Sequence, residues 1–123
     1  MADSTASRFP LEFPRDEAGN LDPTKVHELK KRSHNGKVFL YTDEDVGDVI
    51  YRAASQKEFD YWLDKVDDDN ASANRTLFDE CVLWPDGADK TAIHEFKSAL
   101  PGSVAQDILR KSGAKKDISG KEL

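Results

Sequence analysis

The chain has a single cysteine, Cys81, among 123 residues. One thiol forms no intramolecular disulfide, which excludes the stapled architecture of small secreted domains and fits a reducing compartment. Long hydrophobic runs are missing too. No stretch approaches the roughly 18 apolar residues of a membrane span, and MADSTASRFPLEFPRDEAGN contains no apolar core of the kind a secretory leader carries. The expectation is a soluble cytoplasmic protein with no membrane partner, in which the sequons at Asn70 and Asn74 carry no sugar. Cations are in the minority, 18 Lys and Arg against 24 Asp and Glu, giving a net charge of -6. Because affinity for phosphates comes from clustered Lys and Arg, this balance argues against nucleic acid as a partner. The basic clusters present, Lys30-Lys31-Arg32 and Lys115-Lys116, are short.

What the chain does have is patterned. Its length fits one domain with one small core. Residues 1–21 mix Ser, Thr, Pro and charge without a sustained period and read as a flexible N-terminal tail. Within them FPLEFP alternates apolar residues between prolines, a pattern suited to extended docking on this domain or on another subunit. Asp22-Pro23 can cap and open a short helix bearing Val26 and Leu29, ending by His34-Asn35-Gly36. KVFLYT (37–42) and DVIYRA (48–53) are rich in β-branched and aromatic residues and flank an acidic loop, which predicts a β-hairpin. Its strand edges would stay open unless a helix or a partner covers them, which leaves room for a docked strand.

A run of helices follows. Ser55-Gln-Lys-Glu58 fits a capping box, and Phe59, Trp62, Leu63 and Val66 then fall at i, i+3, i+4, i+7. DDDNAS breaks the pattern. A second helix is expected to carry Leu77, Phe78, Cys81, Val82 and Trp84 until Pro85-Asp86-Gly87 ends it. Ile93, Phe96 and Leu100 mark a third, closed by Pro101-Gly102. Ser103 caps a fourth, with Val104, Ala105, Ile108 and Leu109 inward. The order predicts an α+β fold: a short N-terminal helix, a hairpin, then a bundle of about four short helices. The single domain spans 22–112, with Trp62 and Phe78 in its core and a flexible C-terminal tail over 113–123.

Candidate chemistry converges on DECVLWPDG (79–87), where a Trp-Pro-Asp triplet like that of a tyrosine phosphatase acid loop follows the only thiol. The other half of that machinery, His-Cys-x5-Arg, is missing. Glu80 precedes Cys81 and Gly87 stands near the place of the Arg. Cys81 also falls four residues beyond Leu77 on an apolar face, where free cysteine is normally core. His27, His34 and His94 show no spacing tied to Cys81, and one Cys with three scattered His is no zinc set. EF-hand frames starting at Asp67 or Asp68 lack the turn Gly and the final Glu. No Gly-rich phosphate loop, GxSxG elbow or HExxH occurs. The chain therefore reads as non-enzymatic, without cofactor or metal.

The order of elements carries more information. ELKKRSHNGKVFLYT leads into the hairpin, KEFDYWLDKV forms an aromatic helix, and ANRTLFDECVLWPD precedes two short helices. This pattern resembles the small tail assembly chaperone-like proteins of tailed bacteriophages. The shared features are a "GKV-aromatic" strand, an "-IYR-" strand, a helix like Phe59 to Leu63, and a helix ending in a "CV-x-x-P-D" motif, matched by Cys81, Val82, Pro85 and Asp86. The resemblance covers roughly residues 25–110. It implies a protein-binding role in the host cytoplasm, keeping an apolar, helical tape measure protein soluble during tail assembly. The Pro- and Phe-bearing N-terminal segment and the basic end KSGAKKDISGKEL depart from the pattern.

The expected partner contacts are the aromatics Tyr41, Tyr51, Tyr61 and Trp84, with Phe9, Leu11 and Phe13 as a mobile arm, because aromatics are enriched at binding hot spots. Self-association into a homo-oligomer is compatible with the open edges. Two rival readings are a phage structural or host-directed inhibitor protein using its acidic surface, and a small enzyme built on Cys81.

Overall fold

The computed structural model describes residues 8–113 and 121–123. Helix α1 (Pro23–Lys30) starts where the Asp22 carboxylate accepts the N–H groups of Thr24 and Lys25 at 2.9 and 3.4 Å, with Pro23 in the first turn. Strands β1 (Phe39–Asp43) and β2 (Gly47–Tyr51) pair antiparallel, Phe39 opposite Tyr51 and Asp43 opposite Gly47. The Asp43 carboxylate accepts the N–H groups of Asp45 and Val46, both at 3.0 Å, and so shapes the acidic tip. There follow α2 (Gln56–Val66), α3 (Asn70–Cys81), β3 (Val82–Trp84), α4 (Gly87–Phe96), α5 (Leu100–Lys111) and β4 (Lys121–Glu122). The protein is α+β, with four helices after the hairpin among the described residues.

The sheet has the order β3-β2-β1-β4, antiparallel throughout, and separates two cores. Successive side chains of a strand point to opposite faces. Phe39, Val49 and Tyr51 accordingly pack with Leu77 and Phe78 of α3 and Val104 and Ile108 of α5. On the other face Ile50 joins Val26 and Leu29 of α1, together with Phe13, Val38 and Leu83. Covered on both sides, β2 is buried along its whole length, Asp48 included.

Three expectations are corrected here. First, residues 8–21 are not a loose tail. Leu11 makes a parallel bridge to Gly47, its N–H donating to Val46 and its carbonyl accepting from Asp48 at 2.8 and 2.9 Å. The buried Asp48 carboxylate then accepts the Phe13 N–H at 3.0 Å and an Arg15 N–H at 3.2 Å. The strap fills the edge of β2 where β3 has not yet begun, because a buried strand cannot leave its N–H and C=O groups unpaired. At the other terminus, residues 114–120 of the expected C-terminal tail lie outside the described residues. Lys121 and Glu122 pair with Leu40 and Phe39, covering the start of the second hairpin edge.

Second, the helix expected to run through Trp84 stops at Cys81, and Val82–Trp84 is a strand on β2. A short apolar run next to a proline suits either structure, and an open strand edge decided it. Third, Pro101-Gly102 opens α5 instead of closing α4, which ends at Phe96. Proline in a first helical turn loses no hydrogen bond. Ser103 then lies inside the helix, its hydroxyl donating to the Ala99 carbonyl at 3.4 Å.

Candidate functional site

The seven residues expected to form a contact surface are not brought together. Tyr51 is fully buried and its hydroxyl donates to Asp107 at 3.3 Å; Phe13 is buried beneath the edge of Trp84, with ring centroids 5.1 Å apart. Both are core residues, removed from any contact surface of the folded state. Phe9 stacks on Phe96 at 4.3 Å, and Leu11 is held by the backbone bridge, so the supposed arm is docked on its own domain. Tyr41 and Trp84 are half-buried on opposite faces of the sheet. Burial pushes the Tyr41 hydroxyl above its ordinary value, with help from Asp107 and Asp43. Tyr61 alone of the seven stands in solvent, beneath the Lys65 ammonium 5.8 Å from its ring centre.

Cys81 closes α3 and has no solvent exposure. It lies against an ion pair in which Arg52 grips Glu58 with two bonds, of 2.7 and 2.8 Å. Arg52 also donates to the carbonyls of Ala53 and Glu80, both at 3.0 Å. Glu58 completes the expected capping box, accepting from the Ser55 N–H at 2.9 Å while the Ser55 hydroxyl accepts from the Glu58 N–H at 3.3 Å. The Arg52 hydrogen bonds hold the Glu58 carboxyl down, to about 2. Burial, reinforced by the Glu58 charge, pushes the Cys81 thiol up to about 12. A thiol held protonated and closed to solvent is a poor nucleophile. This cluster ties the β2–α2 link to the end of α3, and its geometry is that of a structural joint.

Helix α2 is different. Its sequence is the most clearly two-sided of the fold, yet none of its residues is buried. Phe59 and Trp62 reach the core from above, and the Trp62 indole N–H donates to Asn74 of α3 at 2.9 Å. Leu63 is 49 % exposed and Val66 half-buried, so Phe59, Leu63 and Val66, at i, i+4 and i+7, make a ridge that the domain covers only along one flank. On its other flank Asp60, Asp64 and Asp67 have the same spacing one residue on, and all three are exposed. Trp62, expected as core, is half-buried for this reason: α3 takes one side of α2 and nothing described takes the other.

Two further features stand out. A groove of about 480 Å³ between α1, the strap and β1 is lined by Leu21, Val26 and Leu40 together with Arg15, His27 and Lys30. Lys97 spans Asp43 and Asp45 at 2.9 Å each and pins the hairpin tip to the end of α4, raising its own pKa. Among the described residues no three His, Cys, Asp or Glu side chains converge on a metal position, and no helix is long and apolar enough to cross a membrane.

The chain matches no protein-family model, no curated protein and no solved structure. The sequence signal for the α2 ridge was present in the stripe Phe59, Trp62, Leu63, Val66. What the stripe did not reveal is that only half of it would find a covering element.

Proposed function

We propose that the protein is a non-enzymatic assembly chaperone of the phage tail kind, binding a tape measure or other tail protein in the host cytoplasm. The observation that carries this reading is the ridge on α2, an apolar stripe left half uncovered on an acidic body. A chaperone for an aggregation-prone helical client needs both properties: apolar surface to shield the client, and net charge to keep the complex dispersed. The order of elements that resembles the tail assembly chaperones adds to this, and the burial of Cys81 speaks against a thiol enzyme.

Co-expression with a phage tape measure protein tests the proposal. The expected result is a client that is insoluble alone, soluble in the presence of this chain, and co-purifying with it. A client equally insoluble in both cases would overturn it. Recovery of a host enzyme as the sole stoichiometric partner would favour the inhibitor reading instead.

A further inference from the structure

The ridge and the carboxylates beside it share one geometry. Phe59, Leu63 and Val66 form an apolar row at i, i+4, i+7, and Asp60, Asp64 and Asp67 form an acidic row one residue on with the same spacing. The apolar row ends with α2 at Val66, and the acidic row runs beside it from Asp60 to the C-cap residue Asp67. Asp60 accepts from the Gln56 amide at 3.0 Å, while Asp64 and Asp67 make no side-chain contact with a cation among the described residues.

From this pairing we infer that α2 is the docking face for a cationic amphipathic helix of a partner protein, one whose own apolar and Lys/Arg rows repeat at i, i+4, i+7. The inference rests on the chaperone reading for its biological setting, and names the chemistry of the client segment. Leu63 and Val66 bury against the partner's apolar row, and the three carboxylates face its cations. Charge decides between the candidate occupants. A second copy of this chain would set against this face another body carrying a net charge of -6, with no cationic row to match the carboxylates. A purely apolar helix would bury Leu63 but leave the carboxylates at the contact partly desolvated and unpaired, which is costly. A cationic amphipathic helix meets both rows, and steering by the acidic surface speeds its arrival at low salt.

The test uses the full chain and a fluorescently labelled synthetic peptide of about 20 residues, long enough for appreciable helicity. The peptide carries Leu in one i, i+4, i+7 row and Lys in the next; a control peptide has Glu in place of Lys. The expected result is binding of the Lys peptide that weakens with added salt, that falls about tenfold or more in Leu63→Asp, and that shifts toward the Glu peptide in the double variant Asp64→Lys, Asp67→Lys. All three substituted residues are half or fully exposed, so circular dichroism and melting should report an intact fold. Equal binding of the two peptides, no binding of either, an unchanged affinity in Leu63→Asp, or a dimer of the free protein that Leu63→Asp dissolves would each overturn the inference. Repeating the client co-expression with Leu63→Asp separates the two proposals. A client still solubilised by the variant removes the α2 face and leaves the chaperone role. Peptide binding without client rescue removes the chaperone role and leaves the face.

Discussion

Arg52 and Glu58 hold each other through two parallel bonds of 2.7 and 2.8 Å at a half-buried joint, and the same carboxylate caps α2. Because hydrogen bonding depresses the Glu58 pKa from 4.5 to about 2, the unfolded chain binds a proton that the folded one does not between those values. The pair's contribution is therefore present above about pH 4.5 and lost as the pH falls toward about 2. Glu58→Gln should lower stability by roughly 1 to 3 kcal/mol at neutral pH, since it leaves Arg52 without its counter-charge and weakens the cap. In urea titrations at pH 7 and pH 3, the difference between variant and parent should shrink at the lower pH.

Cys81 should behave as a core residue. Iodoacetamide labelling of the native protein is expected to be at least about a hundredfold slower than labelling in urea, because it waits on opening of the fold. With a folded pKa of about 12 against 9.0 for the free thiol, the unfolded state alone ionises in between, so stability falls as the pH rises through that window. Fast native labelling at pH 7.5 would contradict the burial.

Gly47 has a φ of +96°, and a Cβ there would collide with the backbone of Leu11. Gly47→Ala should cost roughly 1 to 3 kcal/mol through the strained conformation alone, and should also displace the strap. Limited trypsin digestion offers a direct readout, with cleavage at Arg15 accelerating in the variant and remaining slow in the parent.

Phe78 and Trp62 were equivalent on sequence but differ in place. Phe78 is fully buried between the sheet and α5, and Phe78→Ala should cost about 3 to 5 kcal/mol. Trp62 packs on one side only, so Trp62→Ala should cost less, about 1 to 3 kcal/mol, including the lost bond to Asn74. Chemical denaturation of both variants would rank them.

Much of this architecture is legible in the sequence. The Asp22-Pro23 start of α1, the hairpin, the capping box at Ser55 and Glu58, and the burial of Cys81 all follow from interactions within a few residues, or from a simple period. Such signals are local, and the sequence contains both partners side by side. The failures share a different cause. Val82–Trp84 became a strand, Pro101 opened a helix, and residues 8–21 became a strap because each segment met a demand set elsewhere in the chain. The unpaired edge of β2 took both Leu11 and Val82, at sequence distances no local pattern encodes. The candidate site divides the same way. Sequence alone determined that α2 would be two-sided; only the packing of α3 against one flank decided that Leu63 and its neighbouring carboxylates would face outward, since exposure depends on what the rest of the chain leaves uncovered.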